Sequence, residues 1–184
     1  MTRRSRRRLE LQPVHEEISD LLSEKREDRF SCPKEARKKA MDFLARREYG
    51  QHELINKLSD KGFGRDIAEQ AVLALSNEGL QSDRRFAENF VQSRIGQGKG
   101  PVRIRQDLSQ RGLRSSEIER AIEAAGADWY AMAREVRSKK FGHSQPAEFK
   151  EKARQMRFLQ YRGFEPDHIQ SAFSAGDESV GPKS

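Results

Sequence analysis

The chain is expected to be all-α: an elongated tandem array of three three-helix units of helix-turn-helix character. Three observations predict this. A short phrase occurs three times at intervals of about fifty residues, as KLSDKGF at 57–63, DLSQRGL at 107–113 and FLQYRGF at 158–164. Apolar residues recur at helical spacing around each phrase, and no segment alternates with the period of two that a half-buried strand requires. Of 184 residues 34% are hydrophobic and 35% charged, and the mean hydropathy is −0.96. That is too little apolar material for one thick core, and it suits thin units stacked end to end.

Residues 1–34 read as a basic, flexible arm, with Arg3, Arg4, Arg6, Arg7 and Arg8 crowded into its start. Such an arm serves either nonspecific phosphate contact or solubility. The first unit then spans 35–81, the second 82–127 and the third 128–176, followed by a flexible tail at 177–184. Each unit opens with an amphipathic stretch: Ala36, Ala40, Phe43 and Leu44 in the first, Phe86, Phe90 and Val91 in the second, and Trp129, Met132, Ala133 and Val136 in the third. These stripes are expected to be core faces. Breaks between helices are expected near Gly50, Gly62 and Gly79, then near Gly98 to Pro101, Gly112 and Gly126, then near Gly142 to Pro146, Gly163 and Gly176.

Aligning the phrases on Gly62, Gly112 and Gly163 brings other positions into register. A leucine stands four residues earlier (Leu58, Leu108, Leu159), and a large apolar residue follows directly (Phe63, Leu113, Phe164). Ala68, Ile118 and Ile169 lie six residues on, and Val72, Ile122 and Phe173 ten on. The glycine is expected to take the left-handed position that ends a helix, with the next apolar residue folding back on the last turn. Asp66, Ser115 and Pro166 mark the start of each following helix.

The formal charge is +7, divided as +2 over 1–34, 0 over 35–81, +2 over 82–128 and +3 over 129–184. A basic chain points to a polyanionic or acidic partner. No run of 18 or more apolar residues spans a membrane and no apolar leader opens the chain, so a cytoplasmic protein is expected. Cys32 has no cysteine to pair with and reads as a small, buried or half-buried residue. His15, His52, His143 and His168 fall singly, so neither metal nor cofactor is implied. GQGKGP, around Lys99, lacks the strand and the Lys-Ser/Thr pair of a phosphate loop. It reads as a flexible interhelical turn with Pro101 opening the next helix, or as a basic loop in which Lys99, Arg103 and Arg105 meet phosphates or acidic side chains. His52 with Glu53 and His168 with Asp167 are sequence neighbours on helices, where adjacent side chains diverge, so no positioned acid–base pair and no enzyme is expected.

ARREYGQHELINKLSDKGF, then SDRRFAENFVQSRIGQGKGPVRIRQDLSQRGL, then RFLQYRGF resemble the three consecutive repeat signatures of the RecX family, over roughly Ala36 to Ala175. In that family a serine usually caps the helix ahead of the Glu-Leu pair of the first unit. Here Gly50 stands in that place before Glu53 and Leu54, so the helix keeps the glutamate of a capping box without its hydroxyl partner. The resemblance implies a small, cytoplasmic, non-enzymatic regulator; a monomer is expected. It implies binding to the RecA recombinase, free and as a filament on single-stranded DNA, and lowering of ATP hydrolysis, strand exchange and filament growth. Weak contact with single- and double-stranded DNA would accompany this. The candidate contact residues are Arg46, Arg47, Arg94, Lys99, Arg103, Arg105, Lys139, Lys140, Arg157 and Arg162. Arg46 and Arg47, Arg94, and Lys139 with Lys140 recur near the end of each unit's first helix, which reads either as macrodipole pairing or as a spaced basic stripe. Two rival readings stand beside this one: a helix-turn-helix DNA-binding module acting without RecA, and a helical adaptor for another partner. Against the first, RDIAEQAV, SEIERAIE and DHIQSAFS each place an acid in the first turn of the third helix, where a DNA reader needs base-contacting groups.

Overall fold

The computed structural model describes residues 30–174. Among the described residues it is entirely helical: α1 (Pro33–Leu44), α2 (Gln51–Ser59), α3 (Arg65–Asn77), α4 (Asp83–Gly96), α5 (Pro101–Ser109), α6 (Ser115–Ala124), α7 (Trp129–Phe141), α8 (Phe149–Arg162) and α9 (Pro166–Ser174). The basic cluster at 3–8, His15, Gly176 and the tail at 177–184 lie outside the described residues.

The repeated phrase is a helix stop with the same hydrogen bonds in all three copies. Gly62, Gly112 and Gly163 have φ of +98°, +82° and +89°. The N–H of the next residue reaches back to the leucine carbonyl five positions earlier: Phe63 to Leu58 at 3.2 Å, Leu113 to Leu108 at 3.4 Å, Phe164 to Leu159 at 3.2 Å. These bonds satisfy carbonyls that a helix end would otherwise leave open. They also fold the apolar residue back into the core, and Leu58, Leu108 and Leu159 are wholly buried. Truncating any of these leucines to alanine is worth about 2–5 kcal/mol.

Each third helix lies against the first two of its own unit: α3 on α1 and α2, α6 on α4 and α5, α9 on α7 and α8. Three hydrophobic cores result. Ala36, Ala40, Leu54, Leu58, Ala68, Val72 and Leu75 form the first. Phe86, Val91, Ile104, Leu108, Ile118 and Ile122 form the second, and Ala133, Leu159, Phe164, Ile169 and Ala172 the smaller third. Trp129 touches both the second and the third core, so α7 is packed where it leaves α6. The third core also takes in Arg137, 4% exposed. Its guanidinium donates to Gln155 Oε1 and to the carbonyls of Ala172 and Ser144, and the loss of water on burial pushes its pKa down.

The extensive helix–helix contacts are all within units, and the units meet through their turns. A Cβ on Gly112 would come within 2.8 Å of the Cβ of His52, at the start of α2. The second junction repeats the arrangement more tightly. Gly163 abuts Arg103 at the start of α5, the Gly100 N–H donates to the Arg162 carbonyl at 2.9 Å, and the Val102 N–H donates to the Gly163 carbonyl at 3.0 Å. The open amides at the head of α5 thus satisfy the open carbonyls at the tail of α8.

Three expectations are revised. Helix α1 stops at Leu44, so Arg46 and Arg47 lie in the turn beyond it and not in its last turn. The missing cap at Gly50 is supplied from the next unit, because the Gln51 N–H donates to Asp83 Oδ1 at 2.7 Å, and Asp83 also accepts from Gln81. Of the glycines at 96–100, Gly98 and Gly100 are held by packing, while Gly96 is open. Gly98 lies under Val136 and Gly100 under the Gly163 carbonyl, both on the third unit, so this turn is clamped between units.

Candidate interaction surface at the second and third units

Of the ten basic candidates, the structure gathers four at the second junction. Arg94 ends α4, Lys99 sits in the turn, Arg103 is in the first turn of α5 and Arg162 ends α8. They meet because the clamp at Gly100 and Gly163 holds the three helix termini together. Asp107, one turn after Arg103 and 8% exposed, lies among them. Its Oδ1 is 3.0 Å from Arg103 Nε and its Oδ2 3.4 Å from Arg94 Nε. Arg94 donates through Nη1 to Gln97 Oε1, and Arg162 donates through Nη1 across the junction to the Gln97 carbonyl at 2.8 Å. One carboxylate therefore faces four cations, and the cluster keeps a positive excess. Burial, then the neighbouring Arg162, Arg103 and Arg94, hold the Lys99 ammonium below the usual lysine range, with Asp107 opposing.

Beside the cluster a cleft of about 520 Å³ opens between the second and third units. Ile95, Met132, Val136 and Phe158 form its floor, and Arg162, Lys139, Lys140 and Glu135 stand around it. Lys139 pairs with Glu135 on the same helix, whereas Lys140 is exposed. An apolar floor with a cationic rim is suited to an acidic, amphipathic protein segment or to a stacked, anionic polymer.

The remaining candidates lie elsewhere. Arg105 faces away from the basic loop in which it was placed: its guanidinium bridges Glu119, through Nε at 2.8 Å, and Glu165 of the third unit, through Nη1 at 2.7 Å. Arg47 lies over the Tyr49 ring, 3.6 Å from its centroid, and pairs with Glu53. Arg46 lies in the turn after α1, beyond the Ala45 C-cap, and Arg157 is exposed on α8. Asp107 was not anticipated, although its spacing from Arg103 is that of a helical ion pair. At the same place in the other phrases stand Lys57 and Phe158, so the repeat gave no warning of a carboxylate.

Models of the RecX family match the chain three times in order: the first three-helix domain over 36–73, the second over 82–122 and the third over 127–173. The chain belongs to the RecX family. Named relatives agree with this membership. The regulatory protein RecX of Halorhodospira halophila is 45% identical over 139 residues, covering 76% of this chain and 86% of its own. That of Pseudomonas putida is 41% identical over 148 residues, covering 80% and 95%. Two RecX crystal structures share the fold. One, from Lactobacillus salivarius, has a TM-score of 0.64 at 19% identity and covers 76% of this chain and 93% of its own. The other has a TM-score of 0.63 at 23% identity and covers 75% and 70%. A RecX regulatory role follows from the family. No helix among the described residues is long and apolar enough to cross a membrane.

Proposed function

We propose that this RecX chain binds the RecA recombinase and its filament on single-stranded DNA, and lowers ATP hydrolysis, strand exchange and filament growth. It acts by contact and without catalysis of its own, as a cytoplasmic monomer. One observation carries the reading beyond the family name: the basic cluster of Arg94, Lys99, Arg103 and Arg162 joins the apolar-floored cleft across the second junction. This surface spans two units that the clamp fixes relative to one another, and a partner made of repeating protomers needs such a rigid, extended face. Seated in the filament groove, the array restrains the movement between protomers on which ATP turnover depends and obstructs addition at the growing end. Weak, salt-sensitive DNA contact through the same cations is secondary.

The acids in the first turns of α3, α6 and α9 (Asp66, Glu117 and Asp167) favour this reading over sequence-specific DNA recognition. The test is RecA's ATPase on single-stranded DNA with this protein titrated from far below equimolar, repeated with excess DNA. Inhibition that is substoichiometric and survives excess DNA is expected. Inhibition that excess DNA abolishes would replace the reading with a DNA-binding module, and none at all with an adaptor for another partner.

A further inference from the structure

Lys99 is only partly exposed, and it is set between Gly98 and Gly100 in a turn of the second unit that the third unit holds in place. Three guanidiniums lie close enough to act on its charge: Arg94 on α4, Arg103 on α5 and Arg162 on α8, with Asp107 as the opposing carboxylate. The cluster also contains an unused donor. Arg94 Nε is buried with no hydrogen-bond acceptor among the described residues, since at 3.4 Å from Asp107 Oδ2 it is near the carboxylate but not aligned with it. A small dianion placed among these groups would gain charge-assisted hydrogen bonds that the protein alone does not complete.

We infer that Lys99 is an acylation site that takes acyl phosphates, with Arg94, Arg103 and Arg162 receiving the phosphate and the Lys99 amine receiving the acyl group. An amine attacks only when unprotonated, and both loss of water and nearby cations enlarge that fraction at neutral pH. In the step, Nζ forms a bond to the acyl carbonyl carbon, and the bond from that carbon to the oxygen bridging it to phosphorus breaks. Inorganic phosphate leaves with the bond's electron pair, and the amine's surplus proton goes to water. The product is a neutral amide, so the cluster loses one positive charge at its centre. The regulatory consequence, weaker action of the acylated chain on its partner, rests on the function proposed above; the reactivity does not.

The experiment separates the two. Full-length protein is incubated with acetyl phosphate near neutral pH, and acetylation is followed site by site by mass spectrometry. A parallel sample receives an uncharged acetylating ester. Lys99 is expected to react about 5-fold or more faster than the exposed Lys139 and Lys140 with acetyl phosphate, and by a smaller margin with the uncharged ester, because only the phosphate can use the guanidiniums. Added inorganic phosphate should erase the difference between the two reagents. Arg103→Gln, at an exposed side chain, should slow Lys99 selectively. Equal rates at Lys99, Lys139 and Lys140 would overturn the proposal. So would a Lys99 preference that is the same with both reagents and indifferent to phosphate, since the phosphate site would then not exist. None of these readouts depends on RecA.

Discussion

Gly100→Ala tests whether the second junction is a clamp. The backbone at Gly100 is extended, φ −82° and ψ 168°, which any residue adopts, so the substitution adds no strain of its own. Its effect must come from space. A Cβ there would lie 2.3 Å from the Gly163 carbonyl oxygen and 2.4 Å from the Phe164 nitrogen, and both are backbone atoms that cannot turn aside. The units have to separate locally, and the Gly100 to Arg162 and Val102 to Gly163 hydrogen bonds open together. At about 1 kcal/mol net for each bond, the junction loses about 2 kcal/mol. Replacing a glycine N-cap with alanine costs a further amount of about 0.5–1 kcal/mol.

Gly50→Ala removes that ambiguity. Gly50 is likewise an N-cap glycine with extended backbone, but its Cβ would meet the Phe86 ring at 3.2 Å, and a ring can give by a few tenths of an ångström. Both variants carry the cap cost, and only one breaks the junction. In urea, Gly100→Ala should unfold with about 2 kcal/mol less stability than Gly50→Ala, a midpoint difference of about 1 M. Hydrogen exchange at the amides of residues 100 and 102 should accelerate at least about tenfold. Two variants of equal stability to within about 0.5 kcal/mol, with those amides still protected, would refute the clamp, and with it the rigid placement of the basic cluster.

Three further outcomes are expected. Charge reversal at Lys99, Arg103 and Lys140 together should raise the concentration for half-inhibition of RecA's ATPase about tenfold with helicity unchanged by circular dichroism, and unchanged inhibition would remove these residues from the contact surface. Arg105→Gln should leave inhibition intact and cost under about 1 kcal/mol of stability, because its pairs with Glu119 in its own unit and Glu165 across the junction are both largely open to solvent. The Glu117 carboxyl is held below its usual range chiefly by the Arg114 guanidinium, with burial opposing, so its stabilisation is present above the unfolded pKa and fades as pH falls through the folded one. Glu117→Gln should therefore cost under about 1 kcal/mol at pH 7, and the deficit should shrink progressively in melts taken below the ordinary carboxylate range.

The units were legible because their signals are local. A glycine with positive φ, the leucine four residues before it and the apolar residue after it all act within one helix end, so spacing in the chain is spacing in the structure. The cores followed for the same reason. The junctions were not legible, since they depend on which turn faces which. Asp83 serving as the cap of Gln51 joins residues 32 apart in the chain, and Arg162 donating to Gln97 joins residues 65 apart. Neither pairing has a periodicity to reveal it. Arg105 shows the resulting error: it lies two residues from Arg103 in a basic stretch, but helical rotation turns it to the opposite side, toward Glu119 and Glu165.

The three phrases share their buried leucine and the apolar residue after the glycine, and differ in chemistry five residues before the glycine. Lys57 in the first lies over the rings of Phe43 and Tyr49. Asp107 in the second draws in Arg94 and Arg103, and Phe158 in the third sits under Arg162 and forms part of the cleft. The residue directly before the glycine is basic in every copy, but its role changes with its neighbours. Arg111 donates to its own helix at the Asp107 carbonyl, while Arg162 crosses to the adjoining unit. Stability therefore resides in what the copies have in common. The candidate surface resides in what they do not, at the one junction where a carboxylate, a guanidinium from each side and an apolar cleft come together.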